Sequence, residues 1–340
     1  QEKCAVKIRQ WIKQIMGYGE SIVWMLRKCL PGQRNAAMRW YDRIAEVLES
    51  FGFESCPCMP ALFRHKTKKI ILNVHVDDEL MAASPEDGEW VLRRLREHFS
   101  LSAVGPVPMN EKGSGEELLY LKKRYVFVDG GIFILPHQKY YNNLKELFNL
   151  NDNTTAKPTP EHPNITKEDN SEQLSAADQK TFRSALGTCL YLSHDRPDIQ
   201  YAVKCLRASM RNPTRNSMVH VKYLCRYLIG TEGHGIFFPY SSMQTRCSDR
   251  LHEQDNSKSC RKSCVEIYTD SDWSGHSVTR ASTSSGAIFC CSCLIMSYSR
   301  TQKAISLSSC ESEICSATLG AGEAILVREL WRFVAGLEEV

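Results

Sequence analysis

Apolar and polar positions along this chain follow two rhythms, and the elements they predict fall into blocks. Residues 34–50 (RNAAMRWYDRIAEVLES) place apolar side chains at helical spacing with Gly52 just beyond, which predicts a helix. Short apolar runs at 61–64 and 70–76 flank the charged stretch HKTKK and predict a hairpin. A turn at Ser84-Pro85-Glu86-Asp87-Gly88 leads into a helix over 89–99. Strand-like segments at 118–128 and 132–135 surround the turn Asp129-Gly130-Gly131, and a helix over 138–148 closes the first block. Helical patterns follow at 176–193, 197–211 and 214–229. The last block reads as strands at 264–270, 286–291 and 294–299, then a long helix over about 308–335. Its stripe Ile314, Ala317, Leu326, Leu330, Phe333 and Leu337 is expected to face that sheet.

Two stretches break the rhythm. Residues 151–174 are polar and rich in Pro, Asn, Asp and Thr, a linker composition. Residues 241–263 are full of Ser, Asp and Lys and are expected to be a flexible loop. At 340 residues the chain exceeds one ordinary domain, and 42% hydrophobic with 24% charged residues is the balance of a globular protein. A net charge of +4 is too mild to imply nucleic acid by itself, since phosphate contact needs a basic surface and not a basic average. No run of roughly 20 apolar residues could span a bilayer, and the first residues lack a secretory pattern, so no membrane partner and a cytoplasmic or nuclear setting are expected. The missing initiator Met leads us to expect sequence upstream.

The 15 cysteines are odd in number, and many occupy apolar positions of predicted elements (Cys189, Cys205, Cys225, Cys290, Cys315), where a thiol acts as a small hydrophobe. Cys56-Pro57-Cys58 and Cys290-Cys291-Ser292-Cys293 are tight clusters without the paired spacing of a zinc ribbon, so reduced structural thiols are the expectation.

Two acidic constellations could carry chemistry. Asp77-Asp78 follow an apolar strand pattern, and adjacent carboxylates repel unless a cation offsets them. Hard oxygen donors at a hairpin tip suit Mg²⁺, although such a pair alone also reads as a solvated turn. Asp270 ends a predicted strand, and Glu313 falls in the first turn of the last helix. Together they could share a metal ion, or serve as a strand-end turn residue and a helix N-terminal carboxylate beside a Ser308 or Ser309 cap. Lys204, Arg207 and Arg211 lie on one face of a predicted helix, and Lys222 and Arg226 on one face of the next. They are candidate phosphate contacts or a plain solvated face.

The order of motifs resembles the Pol polyprotein of copia-type LTR retrotransposons over residues 22–340. Leu30-Pro31-Gly32-Gln33 and Arg39-Trp40-Tyr41 stand where that family has Leu-Tyr-Gly-Leu-Lys-Gln and a Trp-Tyr helix. His75-Val76-Asp77-Asp78 stands for its Tyr-Val-Asp-Asp hairpin. Leu135-Pro136-His137-Gln138-Lys139-Tyr140, Lys157-Pro158-Thr159-Pro160 and Phe182-Arg183 through Gly187 to Leu190-Tyr191-Leu192 follow. Next come Arg196-Pro197-Asp198-Ile199, Tyr201-Ala202-Val203, and Arg226-Tyr227-Leu228 with Gly230-Thr231. The closing block is similar to the family's ribonuclease H. It carries Thr269-Asp270-Ser271-Asp272-Trp273-Ser274-Gly275, Arg280-Ala281-Ser282-Thr283-Ser284-Ser285-Gly286, Ser299-Arg300-Thr301-Gln302 and Ser306-Leu307-Ser308-Ser309-Cys310-Glu311-Ser312-Glu313.

The resemblance implies an α+β fold: an N-terminal segment over 1–21, a reverse transcriptase palm fragment over 22–150, a linker with a helical thumb or connection over 151–240, the flexible loop over 241–263, and a truncated ribonuclease-H-like α/β domain over 264–340. It implies RNA-directed DNA polymerase and ribonuclease H chemistry with Mg²⁺ or Mn²⁺, held by Asp77 and Asp78 at one centre and Asp270 and Glu313 at the other. Partners would be an RNA or DNA template-primer, an RNA–DNA hybrid and the rest of the polyprotein. The family's other palm Asp and two further nuclease carboxylates have no counterpart here, and His75 replaces the family's Tyr. The expectation is therefore an isolated chain without turnover, the alternative being a degenerate non-catalytic nucleic-acid-binding remnant.

Overall fold

The computed structural model describes residues 5–7, 9–19, 21–25, 33–109, 113–151, 153–240, 265–276 and 279–337. The expected flexible loop at 241–263 and the Leu30-Pro31-Gly32 part of the first motif lie outside the described residues. The fold is mixed α+β, with every strand among the described residues pairing antiparallel, and the chain divides into two compact units, 1–103 and 104–340.

The first unit begins with β1 (Ala5–Lys7), α1 (Gln10–Met16) and β2 (Val23–Met25), β1 pairing β2. Then come α2 (Ala36–Ser50), β3 (Phe53–Cys56), β4 (Met59–His65), β5 (Ile71–His75), β6 (Asp78–Ala82) and α3 (Pro85–Arg96). The four strands form a meander in the order β3-β4-β5-β6. Ile44, Val47 and Leu48 of α2 recur at i, i+3, i+4, and Leu72 and Val74 of β5 alternate; with Phe63, Val91 and Leu95 they form one buried core. Each such side chain contributes roughly 1.5–3 kcal/mol when buried.

His65, buried in this unit, joins three segments. Its Nδ1 accepts the backbone N–H groups of Thr67 and Lys68, which leaves Nε2 to donate to the Phe51 carbonyl at 3.0 Å. The expected hairpin is β4–β5. The Ser84 stretch, read as a turn, instead starts α3: the Ser84 hydroxyl caps the helix by accepting from Asp87 N–H, and Pro85 suits the first turn.

The second unit holds β7 (Glu117–Tyr120), β8 (Lys123–Val128), β9 (Gly131–Pro136), α4 (Gln138–Phe148), α5 (Ala176–Leu192), α6 (Gln200–Arg207), α7 (Arg215–Gly230) and β10 (Ile236–Pro239). After these come β11 (Val265–Asp272), β12 (Thr283–Cys290), β13 (Cys293–Thr301) and α8 (Ser309–Ala335). The strand pattern at 118–128 is divided by a two-residue turn at Leu121 and Lys122, both at positive φ. The order β10-β9-β8-β7 adds a strand, β10, that its short IFFP text did not reveal.

Helices α4, α5, α6 and α7 share a core that includes Tyr141, Leu144, Phe182, Leu186, Val203, Val221, Leu224 and Leu228. Cys189 and Cys225 are fully buried within it, and burial pushes the Cys225 thiol well above its usual range, as befits a packed structural thiol. Among its described residues the polar stretch at 151–174 has no helix or long strand, yet it is strapped along α7. Asp169 accepts from Ser171, Thr214 and Asn216, Arg215 pairs with Glu172, His162 stacks on His220, and Arg226 donates to the Thr155 carbonyl.

Candidate metal and nucleic-acid sites

Residues Asp77 and Asp78 lie at the tip of the β5–β6 hairpin, a strand later than the apolar text suggested. His75 pairs with Asp78, so Val76 and Asp77 make a two-residue turn. Buried Leu72 and Val74 anchor β5 in the core, while Asp77 and Asp78 are both exposed. Val76 holds φ at 56°, a left-handed conformation that is costly for a β-branched residue. The Trp40 indole N–H donates to the Val76 carbonyl, and the Tyr41 hydroxyl donates to the Pro60 carbonyl at 3.0 Å. The two aromatic residues of the α2 motif thus hold this end of the sheet. Glu79, next in line, is half-buried; burial and then the neighbouring Asp78 charge raise its pKa, which favours its neutral form.

The second pair lies on β11 and α8. Ser308 caps α8 by accepting from Glu311 N–H, while the Glu311 carboxylate accepts from Leu307 N–H, one residue before the cap, and not from the Ser308 N–H that a reciprocal capping box uses. Glu313, expected in the first turn, falls just past it, two residues after Glu311, and is exposed. One turn on, the Ser316 hydroxyl donates to the carbonyl of Asp270 at 2.7 Å, so the helix start is fastened to the strand that carries Asp270.

The buried face of α8 is Ser312, Ser316, Gly320 and Val327, not the expected apolar stripe: Ile314 is 61% and Leu337 49% exposed. Small residues win that face because a Cβ on Gly320 would collide with Thr269 and Ile267 of β11, so only a face without bulk permits so close an approach.

Gln302 ties this corner together. Its amide donates to Ser284 Oγ at 3.0 Å and to the carbonyl and hydroxyl of Ser312, while its carbonyl accepts from Ser306. Trp273 donates to the Ser306 carbonyl at 3.0 Å, and the Ser282 hydroxyl accepts from Ser274 N–H. Much of the text that looked catalytic thus does structural work.

Of the five basic candidates, Lys204 Nζ donates to Thr283 Oγ1 at 2.6 Å and lies over the Tyr201 ring. Arg226 is engaged by the Thr155 carbonyl, and Lys222, exposed, lies over the Phe148 ring. Arg207 and Arg211 are exposed.

A polar hub that sequence reasoning did not single out is Arg196. It is fully buried, and its five N–H donors are all used: two on Asp198 at 2.9 and 2.7 Å, one on the Tyr141 hydroxyl, and two on the carbonyl and hydroxyl of Thr231. Tyr227 donates to Asp198 at 2.7 Å. Burial opposes the Arg196 charge, yet Asp198 outweighs it and holds the guanidinium pKa above its usual value. The Arg-Pro-Asp, Tyr-Leu and Gly-Thr motifs converge on this one guanidinium. The signal available in the sequence was an Arg followed two residues later by an Asp among helices with apolar faces.

Oxygen donors of both pairs are of the type a divalent cation takes, but among the described residues no three His, Cys, Asp or Glu side chains gather closely enough to hold a metal ion. Each pair thus matches such an ion in donor chemistry. Among the described residues no helix is long and apolar enough to cross a membrane.

A hairpin bearing adjacent Asp residues, braced by a Trp-Tyr helix, lies inside a segment that matches a known family: residues 4–161 match the reverse transcriptase (RNA-dependent DNA polymerase) model, so the chain carries a reverse transcriptase-like domain. Over most of its length it is related to transposon polyproteins. It is 29% identical over 307 residues to the retrovirus-related Pol polyprotein from transposon RE1 of Arabidopsis thaliana, a match covering 88% of this chain and 18% of that protein. It is 26% identical over 316 residues to the one from transposon TNT 1-94 of Nicotiana tabacum, covering 90% and 22%. An uncharacterized mitochondrial protein of Arabidopsis thaliana is 28% identical over 254 residues, covering 74% of this chain and 92% of that protein. The chain spans about a fifth of the length of these Pol polyproteins. No solved structure matches it.

Proposed function

We propose that this chain is the palm-to-ribonuclease-H portion of a copia-type retrotransposon Pol polyprotein, acting on a template-primer through Asp77 and Asp78 and on an RNA–DNA hybrid through Asp270 and Glu313. The observation that carries the reading is the β5–β6 hairpin, which exposes Asp77 in its turn and Asp78 at the start of β6 on a Trp40-braced support. A bound Mg²⁺ or Mn²⁺ would lower the pKa of an attacking hydroxyl and neutralise charge on the leaving phosphate oxygen. The residues of this chain do the positioning. Asp77 in the turn and Asp78 at the start of β6 offer the oxygens. Glu79 beside them is half-buried, its pKa raised by burial and then by the neighbouring Asp78 charge.

For the nuclease half, the support is a three-stranded antiparallel sheet followed by a helix fastened to the strand of Asp270, with Glu313 one turn before the fastening Ser316. The domain limits follow the motifs: palm to 150, helical connection to 240, nuclease portion from 264. Arg207, Arg211 and Lys222 are the exposed cations that would track phosphates, with Lys204 and Arg226 anchoring the helices that carry them. With two protein carboxylates per centre, the isolated chain binds template-primer and cations without turnover.

Mn²⁺ titration of the chain followed by water-proton relaxation tests this. Binding should weaken at least about tenfold in Asp77→Asn/Asp78→Asn, a change of roughly 1.4 kcal/mol. Unchanged Mn²⁺ affinity in that variant would overturn the reading of the hairpin. In primer extension with Mg²⁺, incorporation equal to that of the variant is expected; incorporation above it would show that the chain alone is a polymerase.

A further inference from the structure

We propose that Cys56 and Cys58 form a redox-active dithiol that closes to an intramolecular disulfide on exposure to a low-molecular-weight disulfide. The pair lies where β3 turns into β4: Cys56 pairs with Met59 across a two-residue turn of Pro57 and Cys58. The two Sγ atoms are hydrogen-bonded at 3.3 Å. Closing that gap to a bond of about 2.05 Å takes a small side-chain rotation on a backbone already turned to bring the thiols together. Pro57, with φ fixed by its ring, narrows the backbone conformations open to the turn.

Accessibility distinguishes this pair from other close thiols among the described residues. Cys58 is exposed while Cys56 is 1% exposed, so an oxidant in solution reaches one sulfur and the other is held in contact behind it. Cys189 and Cys225 also neighbour one another but are both fully buried in the helical core. Cys290 and Cys291 are adjacent in sequence, with sulfurs 4.0 Å apart.

The exchange balances in two steps. The Cys58 thiolate attacks one sulfur of the oxidant; the oxidant's S–S bond breaks, and one thiolate leaves and takes up a proton. The Cys56 thiolate then attacks Cys58 Sγ and displaces the second thiolate, which is protonated in turn. The protein loses two electrons and two protons, and one small-molecule disulfide becomes two thiols.

Position gives the site its interest. Because β4 and β5 are antiparallel neighbours in a meander, the β3–β4 and β5–β6 turns lie at the same end of the sheet, and Tyr41 and Trp40 hold them through Pro60 and Val76. The dithiol is thus a neighbour of the Asp77 hairpin, though its chemistry does not depend on metal binding there.

The test uses the full chain, folded and in parallel unfolded in urea, titrated with glutathione disulfide, quenched with acid, alkylated and digested with trypsin. The peptide over 44–64, released by cleavage after Arg43 and Arg64, contains Cys56 and Cys58 and no other cysteine. In the folded chain it should escape alkylation, lighter by two hydrogens, at an oxidant concentration at least about tenfold lower than in the unfolded chain. Cys56→Ser should instead leave a stable mixed glutathione disulfide on Cys58. Equal oxidant demand in both states, a persistent mixed disulfide in the unsubstituted chain, or full alkylation of both thiols while other cysteines oxidise would each overturn the proposal.

Discussion

The Trp40 indole donates its N–H to the carbonyl of Val76, linking the N-terminal half of α2 to the turn that carries Asp77. One long-range hydrogen bond thereby ties the helix to a hairpin whose tip is exposed. Trp40→Phe keeps most of the ring packing against Phe99 but removes the donor. Urea unfolding should show a loss of about 1 kcal/mol, and Mn²⁺ binding should weaken with it. A variant as stable as the parent would mean that the bond contributes nothing.

Val76 bears the cost of that turn. Its left-handed φ disfavours a β-branched side chain, whereas Asn tolerates it. Val76→Asn should raise stability by about 1 kcal/mol in the same assay, and a destabilised variant would contradict this backbone assignment.

Arg196 is the residue whose loss should hurt most. Its guanidinium satisfies Asp198, Tyr141 and Thr231 at once, and no other side chain offers five donors in that fork. Arg196→Met leaves Asp198 half-buried without its cation, and a destabilisation of about 3–5 kcal/mol is expected. Arg196→Lys should recover only part of it. Equilibrium unfolding of the two variants decides this.

Acid should act on the same cluster. Burial alone would raise the Asp198 pKa, but Arg196 and Tyr227 outweigh it and hold the carboxyl below its ordinary value. The folded pKa is lower than the unfolded one, so the contribution is full above the unfolded value of about 3.9 and is lost as pH falls through the folded value. His220 acts at milder pH. Burial, then the stacked His162, depresses its pKa from 6.5, with Asp169 opposing. The unfolded chain thus takes up that proton first, and stability falls as pH drops below 6.5. Unfolding at pH 7.5 and 5.5 should show the loss, and His220→Gln should reduce it.

The packing of α8 on β11 gives a steric test. Gly320→Ala places a methyl against Thr269 and Ile267, and the helix must lift or the side chains must move. A cost of about 1–3 kcal/mol is expected by thermal unfolding. Ile314→Ser, on the exposed face, should cost far less, the reverse of what the apolar pattern alone implies.

Helices with a single apolar face were legible from the text. α4, α5 and α7 begin and end within a residue or two of their predicted limits, because spacing and caps such as Ser175 and Thr214 are local properties. The acidic pairs were legible as residues but not as geometry. The strand β6 escaped notice because Asp78 and Glu79 open it, and charged residues do not announce a strand.

What the sequence determined by itself is the helices with one apolar face, the longer strands and the family resemblance of their motifs, since periodicity, caps and turn residues act over a few positions. Which motif residues reach solvent and which are structural ties was decided only by the tertiary structure. Arg196 and Gln302 became hubs because distant segments brought donors and acceptors to them in the interior, where an unpaired polar group is costly. The buried face of α8 was likewise chosen by how closely β11 approaches, a distance between chain segments far apart in the sequence that no local pattern encodes.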